Sequence, residues 1–121
     1  MSHSPLVAIV DDDPDVRASL DSLMRSAGLD CRCFAGAGEL LAETCADAIG
    51  CVVTDLNMPG MSGLELQQEL VRRGWELPLI VMTAYPTDAT RSQAMDAGAA
   101  AYLTKPVDPD VLLEAIEIAL H

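Results

Sequence analysis

The chain has 121 residues, half of them hydrophobic, with 19 acidic against 7 basic side chains and a formal net charge of -12. That length suits one domain with a single sizeable core, and the apolar content is too high for a disordered chain despite the charge. A surface this acidic repels nucleic acid and anionic membrane and favours cations or partners with basic patches. No basic-then-apolar leader or long apolar run is present, so the expected location is the cytoplasm.

In chain order, the first apolar run is "LVAIV", Leu6 to Val10, which ends in Asp11, Asp12 and Asp13. Pro14 is a good first helical residue and Asp13 a good N-cap. The helix they start carries Val16, Leu20, Leu23 and Ala27 on its inner stripe and stops at Gly28. A second strand is expected at Cys31 to Phe34, followed by a helix from about Ala37 to Ala46. A third strand, Cys51 to Thr54, delivers the chain to Asp55. Ser62 or Gly63 then opens a helix with Leu64, Leu66, Leu70 and Val71 as apolar positions and Gly74 as its end. The fourth strand, Leu79 to Met82, leads to Thr83. The next helix begins near Thr87 or Asp88 and stops at Gly98, with Ala94, Met95 and Ala97 on its face. Ala101 to Leu103 is the last strand. The final helix starts at Asp108 and Pro109 and carries Val111, Leu112, Ala115, Ile116, Ala119 and Leu120.

Strands alternating with helices imply parallel pairing through right-handed crossovers, and continuous apolar strands imply burial on both faces. The expected fold is therefore a doubly wound α/β, flavodoxin-like three-layer sandwich. Its five-stranded parallel sheet takes the order 2-1-3-4-5 and fills residues 1–121 as one domain. In such a sheet functional groups gather at the carboxyl ends of the strands, which here are Asp11, Asp12, Asp55, Thr83 and Lys105. Two carboxylates about 5 Å apart repel by roughly 3 kcal/mol at an effective dielectric near 20, and one lysine cannot balance three of them. A divalent cation can. Oxygen-only donors favour Mg2+, with Mn2+ as an alternative, and Mg2+ accepts a phosphoryl oxygen as a further ligand.

The stretches "IVDDDPDVR", "VVTDLNMPGMSGLEL", "PLIVMTAY" and "AAAYLTKPVDPDVL" occur in this order over essentially the whole chain. Together they resemble the receiver domain of two-component response regulators. "MPGMSGLELQQEL" is similar to receivers joined to helix-turn-helix transcription factors of the nitrogen-fixation-regulator type. The resemblance implies that Asp55 is the phosphoacceptor, charged by a sensor histidine kinase or a phosphotransfer protein. It implies that Asp11, Asp12 and Asp55 surround the metal, with Asp12 the closer match to a direct ligand and the backbone carbonyl of Asn57 contributing. Thr83 matches the hydroxyl that moves toward the phosphoryl group, Lys105 the lysine beside it, and Tyr102 the aromatic residue whose rotamer follows activation. Pro106 matches a proline often preceded by a cis bond. The face made by the fourth helix, fifth strand and fifth helix is the implied partner surface, with a phosphorylation-dependent homodimer among its uses. The implied role is regulatory, assisting its own phosphorylation and dephosphorylation. Direct nucleic-acid binding and membrane association are not expected. Because the chain stops after the fifth helix, both a free-standing regulator and a receiver detached from an output domain fit it.

Each residue also has a plain structural reading. The aspartates could cap the first helix, Asp55 could start an Asx turn, Thr83 could end a strand, Lys105 could be surface charge and Tyr102 could simply pack. Joint placement at adjacent strand ends favours one site. The alternative function is a Mg2+-dependent phosphohydrolase working through an aspartyl phosphate on external substrates, which would need a cap or loops for which this chain has no spare residues. Gly36 and Gly38 mimic a dinucleotide fingerprint, but Leu41 occupies the third small position. Three negative charges after the first strand argue against a flavin. Cys31, Cys33, Cys45 and Cys51 form no C-x-x-C pair, and the histidines are only His3 and His121, so reduced, partly buried thiols are expected rather than a zinc site.

Overall fold

Five β-rich runs, each followed by a helical pattern, leave the chain one economical way to bury its apolar strands, and that arrangement is the one it adopts. The computed structural model describes residues 5–43 and 46–121. The strands are β1 (Leu6–Val10), β2 (Cys31–Phe34), β3 (Ile49–Asp55), β4 (Leu79–Thr83) and β5 (Ala101–Thr104). The helices are α1 (Pro14–Ser26), α2 (Ala37–Leu41), α3 (Gly63–Arg72), α4 (Asp88–Asp96) and α5 (Pro109–Leu120). All strand pairs are parallel and the order is β2-β1-β3-β4-β5. The first crossover runs toward β2 and the later ones away from it, so with constant handedness α1 lies on one face and α2 to α4 on the other. The side chains follow this division. Val7, Ile9, Cys51, Val53, Ile80 and Met82 pack with Leu20 and Met24 of α1 and Leu112 and Ile116 of α5. Their alternates Ala8, Val10, Val52 and Val81 pack with Leu40, Leu66, Leu70 and Ala94.

Local chemistry fixes the helix starts. Asp13 caps α1 by accepting the Asp15 N–H at 2.9 Å. Ser62 and Glu65 form a reciprocal capping box at α3, and Asp108 accepts the Asp110 N–H at 2.8 Å ahead of α5.

Several expected details differ. On α1 Met24 is buried alongside the expected Leu20, while Ala27 is exposed because the helix has ended at Ser26 and Ala27 is its C-cap. Val71 is 70% exposed: one residue beyond Leu70, it is turned about 100° off the inner stripe. Gln67 takes the buried place instead, donating to the Ala94 carbonyl at 3.1 Å and tying α3 to α4. Met95, Ala97 and Val111 are likewise exposed beside the truly inward Ala94 and Leu112. The helix expected over Ala37 to Ala46 stops at Leu41, and a 3-10 turn occupies Ala46–Ala48. Part of the expected span, including Cys45, lies outside the described residues, as does His3.

Gly63 opens α3 directly against the end of β3. A Cβ there would lie 2.6 Å from the Asp55 carbonyl oxygen and 3.0 Å from the Leu56 Cα, while its N–H donates to the Leu56 carbonyl at 2.9 Å. Both obstacles are backbone and cannot rotate aside. Gly63→Ala is therefore expected to cost about 1–3 kcal/mol of stability, as overpacking does. Denaturant unfolding followed by circular dichroism checks this, and an unshifted midpoint would show that the contact is slack.

Candidate functional site

The sheet ladder continues past the strand ends and holds the backbone of the candidate residues. Asp11 N–H donates to the Phe34 carbonyl at 3.1 Å, Leu56 N–H to Met82 at 2.8 Å, and Lys105 N–H to Thr83 at 2.8 Å. They join the ends of β1 and β2, β3 and β4, and β4 and β5, and so flank the point where the chain leaves β1 and β3 toward opposite faces, the crevice such a topology creates.

The three consecutive aspartates divide by role. Asp11 is fully buried, accepting the Asp13 N–H on Oδ1 at 2.9 Å and the Lys105 ammonium on Oδ2 at 2.8 Å. Asp12 is exposed, and Asp13 caps the helix. Carboxylate oxygens of Asp11, Asp12 and Asp55 all lie within 4.8 Å of one another. Asp55 is 7% exposed, accepts the Asn57 N–H at 3.3 Å and sits 3.3 Å from Lys105 Nζ. Burial pushes its carboxyl above the usual range, with the nearby Asp11 charge adding to the rise, and the Lys105 ammonium and Asn57 N–H recover only part of that. Burial works against the Lys105 ammonium too, but its bond to Asp11 and the Asp55 charge outweigh this and leave it raised. Three carboxylates and one ammonium leave two negative charges uncompensated. Hard oxygen donors with that surplus fit a divalent cation of the Mg2+ class.

Thr83 is buried beside this cluster, and its hydroxyl accepts from the Asn57 side-chain amide at 3.0 Å and from the Tyr85 N–H at 3.0 Å. The resemblance implies only a backbone role for Asn57, and the amide bond to Thr83 is an addition to it. Tyr102 stands apart from the carboxylates. Its ring is already inside the fold, with its hydroxyl 2.6 Å from Thr90 Oγ1 and 3.4 Å from the Thr87 nitrogen. The Arg91 guanidinium lies over the ring, 5.7 Å from its centroid. The Lys105–Pro106 bond is cis.

Two arrangements are not evident from sequence. Arg17 reaches back from α1 to donate to the Asp11 carbonyl at 2.7 Å; its place one turn beyond the Asp13 cap is the only linear hint. Cys31 and Cys33 share a face of β2 as expected, but Asp21 of α1 joins them, all three ligand atoms lying within 4.8 Å. Among the described residues no helix is long and apolar enough to cross a membrane.

Comparison with known proteins agrees with this geometry. The response regulator receiver domain family matches residues 7–117. The transcriptional regulatory protein TdiR of Thauera aromatica is 42% identical over 118 residues, covering 98% of this chain and 52% of that protein. FixJ of Azorhizobium caulinodans, also a transcriptional regulatory protein, is 40% identical over 120 residues, covering 99% of this chain and 57% of its own. The chain thus spans about half the length of these relatives. The structure of the response regulator StyR superposes with a TM-score of 0.90 at 41% identity, over 98% of this chain and 60% of that one. FixJ-N gives 0.88 at 36%, over 98% and 95%. With the sheet order, the strand-end carboxylates and these relatives in agreement, the chain belongs to the receiver-domain family of two-component response regulators.

Proposed function

We propose that Asp55 is the phosphoacceptor of this receiver and that Asp11, Asp12, Asp55 and the backbone carbonyl of Asn57 hold Mg2+ or Mn2+ beside it. The observation that carries the reading is a nearly buried strand-end carboxylate with two others within 4.8 Å and an ammonium at 3.3 Å. An Asp55 oxygen attacks the phosphorus of a phosphohistidine on a sensor kinase or phosphotransfer protein. The P–N bond breaks as the P–O bond forms, its electron pair stays on the ring nitrogen, and the ring, already protonated on its other nitrogen, leaves as neutral imidazole. A bound divalent cation supplies charge neutralisation for the two anionic reactants. Lys105, released from one carboxylate, donates to the transferred oxygens. Thr83 does the same once its hydroxyl gives up the Asn57 amide, and exposed Ala84 leaves room for the group.

The signal is the rearrangement that follows. Drawing Thr83 inward pulls on the Tyr85 N–H and the loop before α4, whose Thr87 and Thr90 hold the Tyr102 hydroxyl. The α4, β5 and α5 face then changes what it binds, an output domain or a second copy of the chain. Residues 1–121 act as one regulatory unit in the cytoplasm and bind neither nucleic acid nor membrane. The half-length match to transcriptional regulators supports an output domain as the natural partner.

Intact mass after incubation with acetyl phosphate tests the reading. One phosphoryl group per chain is expected with Mg2+ and none with a chelator. Sustained hydrolysis of diverse phosphomonoesters would instead favour the phosphohydrolase.

A further inference from the structure

A second group of metal-ligating side chains lies under α1 at the edge of the sheet, on strand β2. Cys31 and Cys33, two residues apart on that strand, point to the same face, and Asp21 reaches them from α1. The Cys31 thiol donates to Asp21 Oδ1 at 3.0 Å, and the Cys33 thiol faces the Arg17 carbonyl at 3.8 Å. The three ligand atoms lie within 4.8 Å of one another, and all three residues are only half-buried, so an ion has a path in. We propose that Asp21, Cys31 and Cys33 form a site for a thiophilic divalent ion of the Zn2+ class, separate from the acidic crevice.

Ligand chemistry separates the two sites. Two thiolates and one carboxylate are a soft, mixed donor set that selects Zn2+ or Co2+ over Mg2+, with water completing a tetrahedron. Zn–S and Zn–O lengths of about 2.3 and 2.0 Å put neighbouring ligand atoms roughly 3.5–3.8 Å apart, so small rotamer changes suffice. On binding, two metal–sulfur bonds and one metal–oxygen bond form, two S–H bonds break, and two protons leave to solvent. Three ligand charges against the ion's two leave one negative charge, which Arg25, 3.2 Å from Asp21 Oδ2, offsets. Arg17, Arg25 and Asp21 are the charged groups acting on the thiols. Without metal the Cys31 thiol is pushed up to about 12 by burial and by the Asp21 carboxylate, and burial raises Cys33, so both wait as protonated thiols.

The test is a Co2+ titration of the reduced full chain in excess Mg2+, which occupies the acidic crevice. One Co2+ per chain is expected, with visible ligand-field bands of a tetrahedral site and a near-ultraviolet thiolate-to-metal band, both displaced by Zn2+. Cys31→Ser and Cys33→Ser should each abolish the thiolate-dependent spectrum. Asp21→Asn should weaken binding by at least about 10-fold, the size of loss even outer partners of a metal cause. Asp55→Asn should leave the spectrum unchanged. Absence of the thiolate band in the native chain, or its survival in Cys31→Ser/Cys33→Ser, overturns the proposal. The Asp21→Asn arm decides the matter by itself if a cysteine variant fails to fold, since an unchanged affinity there also overturns it.

Discussion

Asp55→Asn is expected to carry no phosphoryl group under conditions that modify the native chain completely, and yet to be the more stable protein. The loss follows from removing the nucleophile proposed above: an amide oxygen has no charge with which to attack phosphorus. The gain follows from the same burial that serves the chemistry. Desolvation raises the Asp55 carboxyl despite Lys105 and the Asn57 N–H. A folded pKa above the unfolded one means that the carboxylate costs stability in full above the folded pKa, and the cost shrinks as pH falls below that value and is gone only below the unfolded one. Asparagine keeps an oxygen for the Asn57 N–H and carries no charge. In metal-free buffer near neutral pH the variant should gain about 1 kcal/mol, an ordinary single-substitution effect, and the gain should shrink toward acid. Urea unfolding at several pH values reads this; a variant less stable than native throughout would mean that the Lys105 pairing outweighs the burial.

Lys105→Met should have the opposite sign. The ammonium sits between Asp11 and Asp55 at 2.8 and 3.3 Å, and Asp11 is wholly inaccessible to water. Removing it strands two buried carboxylates, which in metal-free buffer should cost about 1–3 kcal/mol. This lies below the range for fully buried pairs because the lysine itself is partly exposed. Mg2+ should restore most of the loss, so the variant becomes more metal-dependent for stability than the native chain while phosphorylating slowly. Because the lysine pKa is raised, its contribution is fully present below the ordinary value of 10.5 and fades only as pH climbs through the folded one. The difference between native and variant should therefore be flat across neutral pH. A Mg2+-independent deficit would point to lost packing of the aliphatic stem instead.

The strand ends were legible because parallel sheets bury their middles: an apolar run that stops at Asp11, Asp55 or Thr83 marks its own boundary. Helix starts were legible for a similar local reason, since Asp13-Pro14 and Asp108-Pro109 carry cap chemistry in adjacent residues. Failures came where neighbours in space decide. Val71 looks apolar and adjacent to the stripe, but Gln67 is buried in its stead because α4 offers the Ala94 carbonyl. The second helix is shorter than its pattern suggests: Gly38 sits inside it and weakens it. Within the site, the bond from the Asn57 amide to Thr83 joins positions 26 apart, and the Arg17 contact to the Asp11 carbonyl depends on a long side chain folding back. Neither is encoded in spacing. The grouping of Asp21 with Cys31 and Cys33 is of the same kind, visible only once α1 lies over β2.

The ion pair between Asp11 and Lys105 joins positions 94 apart in a chain of 121 residues. A nascent chain therefore exposes its carboxylates to the solvent long before the compensating cation is synthesised, and β5 must find β4 before the crevice is electrically complete. Contacts of such separation form late, after the local helices. Until β5 joins the sheet, Asp11 and Asp55 lack their shared ammonium, so the crevice reaches its final charge only when the last strand is in place.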